Sequence, residues 1–308
     1  MPAADRWTVC EAVHLPVGAV AARTLRLRLD AVWSELQAAC GTSARAAAEC
    51  EHVHQLRVAT RRTLAALDAF EDVLPAKRRA WFQRRLVRLR RAAGEARDLD
   101  VLTARLSQPD APAALARRRL VAMLSRQRNE SREPIREIRE KLLESDWPGR
   151  VDGLLETLDR RRHQVAFGTY ARRCFKPMIT DFFQTADRRV RTASEMHALR
   201  IKGKKLRYAL EIFSAVLPSR SGDKCRRSLE RMQRTLGDFT DHAAAADRFA
   251  RWARGADAGA SRDFLAALRR EESVQANLAR REFARWWNHD RRRSLRRRLE
   301  STIKRSSA

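Results

Sequence analysis

Chain breakers are what this sequence has least of. Its 308 residues include only 11 glycines and 9 prolines, and aromatic residues make up 6%. No segment alternates apolar and polar residues long enough to make a strand, so a sheet-built fold is excluded and helices remain. The five cysteines, Cys10, Cys40, Cys50, Cys174 and Cys225, are odd in number, far apart and never spaced CxxC. That argues against a disulfide framework or a zinc site and fits a reducing cytoplasm. No apolar run reaches the length of a membrane span, and no basic segment leads into an apolar one near Met1. Neither a transmembrane helix nor a signal peptide is therefore expected. A GxxxxGK[ST] phosphate loop is absent, as is any nucleophile–base pair or pair of carboxylates that the sequence alone can argue for, so no enzyme and no cofactor is expected.

Acidic residues are scarce relative to basic ones. Against 38 Asp and Glu stand 65 Lys and Arg, a formal net charge of +27. Such a charge draws polyanions or anionic surfaces to the protein. Arginine far outnumbers lysine, which suits forked phosphate binding. Coding bias explains part of that preference, but not the net charge. Hydrophobic residues reach 44%, enough for a packed core.

The basic residues are not scattered. His54 to Pro75 reads HQLRVATRRTLAALDAFEDVLP, and His197 to Pro218, 143 positions later, reads HALRIKGKKLRYALEIFSAVLP. The register continues without a gap through Arg84/Arg227, Arg88/Arg231, Arg91/Arg234, Gly94/Gly237 and Asp98/Asp241. Fifteen of 45 positions match between 54 and 98, which marks a repeated architecture.

Helical periodicity runs from about residue 17. Breaks are expected at Gly41 to Ser43, Pro75, Gly94, Pro109 to Pro112, Trp147 to Gly149, Pro218 to Gly222, Gly237 and Gly255 to Gly259. They leave helices over 18–39, 44–73, 77–93, 98–107 and 112–143, then 150–163, 165–191, 194–216, 223–236, 240–253 and 260–288. Gly94 and Gly237 read as C-terminal caps, with Asp98 and Asp241 opening the next helices. The Arg-rich stretch over 289–308 reads as a basic tail that either extends the last helix or frays.

Within the repeat, Leu56, Thr60, Thr63, Leu67, Phe70 and Leu74 share a sector of about 80° when placed on a helix. Opposite them lie His54, Arg57 and Arg61, with Arg62 at the edge. The second copy opposes Leu199, Leu206, Leu210, Phe213 and Leu217 to His197, Arg200, Lys204 and Arg207, with Lys205 in the place of Arg62. Val58 and Ile201 fall among the basic residues, which suggests a partly covered face. Arg84, Arg88 and Arg91 recur at i, i+4 and i+7, as do Arg227, Arg231 and Arg234, against a stripe of Phe82, Leu86, Leu89 and Ala93. Like charges at this spacing destabilise a helix by about 0.2–0.5 kcal/mol per pair, so two matched triplets point to a counter-anion.

For His54 and His197, three roles stay open. They are metal ligands, acid–base or phosphorylated groups, or anion-binding residues near a helix start; no second ligand at i+3 or i+4 supports the first. Gly203 falls on the apolar side opposite Thr60, where close helix packing would justify a mid-helix glycine. Tyr208 and the tryptophans read as core or bundle-edge residues.

HxxRVxxRR and HxxRIxxKKLRY, each followed by an apolar stripe and a GxxxD corner, resemble the conserved histidine α-helical domain, or CHAD, family over roughly 12–288. The resemblance implies an all-α fold of two pseudo-twofold-related four-helix-bundle-like halves, roughly 12–145 and 150–288, around a central basic pore. It also implies binding of inorganic polyphosphate and association with polyphosphate granules in the cytoplasm. Carried over by motif, the ligand positions are His54, Arg57, Arg61 and Arg62, then His197, Arg200, Lys204, Lys205 and Arg207. Periodicity adds the two arginine triplets. Thr63-Leu64 departs from the family's usual LR pair, which implies fewer contacts from the first half. The ExExK strand of the CYTH domain that many members carry is missing. A nucleic-acid-binding role is the alternative, disfavoured by few aromatics and no reading motif; a phosphoanhydride-processing enzyme is a more distant one.

Overall fold

A computed structural model of the chain describes residues 13–41, 46–106, 114–160, 165–188, 190, 192–216, 219–255 and 260–304. The helices are α1 (Val17–Cys40), α2 (Ala46–Ala69), α3 (Ala76–Leu106), α4 (Ala114–Glu130), α5 (Glu133–Glu144), α6 (Trp147–Arg160), α7 (Phe167–Ala186), α8 (Ala193–Ile212), α9 (Ser219–Gly255), α10 (Ala260–Trp286) and α11 (His289–Lys304). Among the described residues there is no strand beyond a single bridge between Pro16 and Ala166, as the all-α expectation required. Cys10, Thr42-Ser43, Pro109 to Pro112, Leu217, Pro218 and Gly259 lie outside the described residues.

Two compact units make up the chain. One comprises Met1–Pro112 and Arg118–Tyr170, the other Ala113–Arg117 and Ala171–Ala308. In the first unit α1 packs against α2, α5 and α6, and α2 against α3. The stripe foreseen on α2 is the core of this unit: Leu56, Thr60, Thr63, Leu67 and Phe70 are completely buried. Thr63 lies in that apolar setting because its hydroxyl donates to the carbonyls of Ala59 and Arg28, at 2.9 and 3.1 Å. Trp147 opens α6 fully buried, stacked on Trp33 at 6.2 Å and edge-on to Phe82 at 5.2 Å. Asp100, almost without exposure, pairs with Arg128 at 2.6 Å and Arg132 at 3.6 Å, tying α3 to the α4–α5 corner.

The second unit packs α8 and α10 along the 37-residue α9. Thr192 and Glu195 form a reciprocal capping box at the start of α8. Gly203 is buried where a Cβ would run into Met232, with Phe182 at 3.6 Å, so the close packing foreseen for it is present. The basic segment after Trp287 is a helix. Asn288 caps α11 through the Arg291 amide at 3.0 Å, and Leu295 and Leu299 are buried.

The sequence reading misplaced four helix ends. Gly94 and Gly237 are not caps, and Asp98 and Asp241 do not open helices. α3 and α9 run straight through them, merging the pairs expected over 77–93 with 98–107 and 223–236 with 240–253. A mid-helix glycine costs about 1 kcal/mol relative to alanine, too little to end a long helix that tertiary packing supports. The helix expected over 112–143 divides at Ser131-Arg132, because Pro134 is tolerated in the first turn of α5 but not in mid-helix.

Candidate functional site

The α2–α3 pair positions the first set of basic residues. The helices are antiparallel, with Arg57 facing Gly94 and Asp68 facing Gln83; the Gln83 amide donates to the Asp68 carboxylate at 2.8 Å. A Cβ placed on Gly94 would stand 3.7 Å from Nε of Arg57, so the glycine is the floor on which that side chain lies. One step further along, His54 meets Arg97. Both are half-buried. Burial pushes the His54 imidazole below its ordinary pKa, and Arg97, then Arg61 and Arg57, push it the same way against Glu51. His54, Arg57, Arg61 and Arg97 therefore share one electrostatic environment in the first unit.

Towards the other end the two helices border a cavity of about 550 Å³, lined by Leu64 and Asp68 from α2 and by Gln83, Arg84, Val87, Arg88, Arg90 and Arg91 from α3. All four arginines are exposed. The only carboxylate on the cavity wall, Asp68, is the one held by Gln83. The triplet Arg84, Arg88, Arg91 is thus brought to the same seam as the HxxR residues. Arg62, half-buried, contributes its carbonyl to the fully buried Arg28 guanidinium at 2.6 Å.

The α8–α9 pair repeats part of this arrangement. Arg200 lies against Gly237 as Arg57 lies against Gly94, with Nη2 3.4 Å from where a Cβ would stand. His197, Lys205, Arg227, Arg231 and Arg234 are exposed, and Lys204 is half-buried. Arg231 stacks over Trp286 at 5.1 Å. Arg207 is committed elsewhere: it pairs with Glu211 at 2.5 Å, donates to Gln233 at 3.0 Å and lies over Tyr208 at 4.5 Å. Arg207, Glu211 and Gln233 occupy the positions that Leu64, Asp68 and Arg90 hold in the first copy. Leu64 leaves the first seam open, whereas Arg207 bridges the second. Ile201 is 52% exposed, so no cover lies over it; Val58 is half-buried.

Sequence reasoning missed Arg90 and Arg97. The signal was present: the Arg57–Gly94 register places Arg97 opposite His54, but ending α3 at Gly94 hid it. Chemically, both seams offer forked cations. No group of three or more His, Cys, Asp or Glu side chains able to hold a metal ion occurs among the described residues.

The family model for the CHAD domain matches residues 23–250. The chain belongs to the CHAD family. Its fold is similar to the crystal structure of the CHAD domain from the plant Ricinus communis, with a TM-score of 0.70 and 20% identity over 95% of this chain and 94% of that one. It is also similar to PptA from Streptomyces chartreusis, with a TM-score of 0.53 and 18% identity over 89% of this chain and 99% of that one. Among curated proteins, none matches the sequence. Among the described residues of this CHAD protein, no helix is long and apolar enough to cross a membrane.

Proposed function

We propose that this CHAD protein binds inorganic polyphosphate without catalysis and associates with polyphosphate granules. The observation that carries the reading is the open α2–α3 seam, where four exposed arginines face a cavity whose single carboxylate is already engaged. Linear polyphosphate has about one charge per phosphate and no bases, so multivalent charge-assisted contacts suffice to hold it. His54, Arg57, Arg61, Arg84, Arg88 and Arg91 would serve one stretch of chain. His197, Arg200, Lys204, Lys205, Arg227, Arg231 and Arg234 would serve another, while Arg62 and Arg207 position the helices. A chain long enough to engage both seams gains from multivalency, which short phosphates cannot.

Titration with polyphosphates of defined length across a salt series tests the proposal. Affinity should fall steeply and linearly in log–log form with salt. Arg57→Ala combined with Arg200→Ala should weaken binding far more than Arg293→Ala combined with Arg297→Ala, two exposed positions of α11. Equal losses would reduce the site to generic charge. Duplex DNA displacing polyphosphate at equal phosphate concentration would instead favour a nucleic-acid ligand.

A further inference from the structure

Away from the α2–α3 seam, the start of α3 faces the start of α6 across a second cavity, of about 410 Å³. α3 contributes Lys77, Arg78 and Trp81; α6 contributes Gly149, Arg150 and Gly153. The half-buried Trp81 indole carries two guanidinium groups, with that of Arg85 3.8 Å and that of Arg150 4.7 Å from its centroid. Holding two cations on one ring favours each contact but sets like charges near one another. The cost is visible at Arg85, whose pKa is pulled down by burial and then by Arg150, Arg84 and Arg88.

Nothing on the cavity wall compensates that charge. Arg78 donates to the Gly153 carbonyl, Arg150 to that of Ser145 at 2.8 Å, and Arg85 to that of Trp81 at 3.5 Å. Those acceptors are all neutral. Asp146 accepts the Gly149 amide at 3.2 Å and so serves the first turn of α6. Among the described residues no carboxylate pairs with Lys77, Arg78, Arg85 or Arg150. Gly153 keeps the opposite wall low, since a Cβ there would come within 3.0 Å of the Arg78 guanidinium, whereas the space beside Gly149 is taken by the Asp146 carboxylate. The second copy of the repeat does not reproduce this site, since Ser221, Lys224 and Ser228 stand where Arg78, Trp81 and Arg85 do.

We infer that the Trp81 cavity is a second anion site, separate from the repeated seams, for a compact phosphate-class oxyanion. Stacking on the indole pre-orients both guanidinium forks, and forks suit the tetrahedral oxygens of phosphate. Free phosphate or pyrophosphate and the terminal phosphate of a chain present the same chemistry. The site stands independently of the polyphosphate reading.

Calorimetric titration of the full chain with pyrophosphate, against chloride at matched ionic strength, tests it. Arg150→Ala should weaken pyrophosphate binding about tenfold, the loss expected for a charge-assisted contact. Lys77→Ala, an exposed side chain that leaves the stacking intact, should weaken it several-fold, while Arg293→Ala with Arg297→Ala should leave it unchanged. Repeating the titration with long chains whose ends are chemically blocked separates the sources. If blocking abolishes sensitivity to Lys77→Ala, the site takes chain ends; if orthophosphate itself binds with that sensitivity, it takes the free ion. Pyrophosphate binding no better than chloride, or a Lys77→Ala variant that binds it as the parent does, would overturn the inference. Long-chain affinity is read separately, so either proposal can fail alone.

Discussion

The Arg57 side chain lies across Gly94, its Nε 3.7 Å from the place a Cβ would take, in the middle of an unbroken α3. Arg200 and Gly237 stand in the same relation between α8 and α9, with 3.4 Å in place of 3.7 Å. In both units the repeated glycine thus sets the height at which a repeated arginine crosses its neighbouring helix.

Size should therefore separate stability from binding at Gly94. Alanine adds only an ordinary contact to Arg57 and recovers helix propensity, so Gly94→Ala should stabilise the protein by up to about 1 kcal/mol. Gly94→Leu should lift Arg57 off α3 and weaken polyphosphate binding while the protein stays folded. Urea unfolding and polyphosphate titration of both variants check this. Unchanged affinity in the leucine variant would mean that the position of Arg57 does not matter.

The same two glycines mark the limit of what was legible in the sequence. Periodicity exposed the apolar stripes, and burial of Leu56, Leu67, Phe70, Leu199, Leu206 and Phe213 follows it closely. The repeat and its basic faces were equally plain. Glycine, however, carries two meanings, end of helix and close approach. Only the partner helix decides between them. Leu64 makes a related point: one missing arginine implied fewer contacts from the first half, and its counterpart Arg207 is engaged by Glu211 and Gln233 while Leu64 borders an open cavity. The tryptophan-held arginines could not be foreseen, because Trp81 and Arg150 meet only through the packing of α3 and α6.

Binding should tighten as pH falls from about 8 to about 5, because a polyanion favours the imidazolium form of His54 and raises its pKa. In the free protein, burial and then Arg97 hold that pKa below its ordinary value. Folding has the opposite dependence. Below about pH 6.5 the unfolded chain takes up a proton that native His54 refuses, so the unliganded protein loses stability as pH drops from there towards the native pKa. Titrations in two buffers of different ionisation enthalpy should reveal proton uptake on binding, and His54→Gln should reduce it. Identical uptake in the variant would remove His54 from the site.

Arg207 should matter more for folding than for ligand. Its partner Glu211 has a side chain only 8% exposed, so Arg207→Ala takes a cation from a nearly buried carboxylate. A loss of about 2 kcal/mol in urea unfolding is expected. Polyphosphate affinity of the folded variant should fall less than it does for Arg200→Ala. A larger fall would return Arg207 to the binding surface.

The Arg-rich C-terminal segment should behave as core rather than as a tail. Leu299 is completely buried and Leu295 nearly so. On the same helix Arg292 donates to the Trp287 carbonyl at 2.8 Å, and Arg296 pairs with Asp187 and covers Phe183 at 4.5 Å. Two of the segment's arginines are therefore occupied in holding α11 down, which is why Arg293 and Arg297, and not Arg292, are the fair controls for binding. Leu299→Ala should cost about 3 kcal/mol through the cavity it opens. Thermal and urea unfolding measure that loss. A change below about 1 kcal/mol would show that α11 does not dock, since a fully buried leucine cannot be truncated so cheaply.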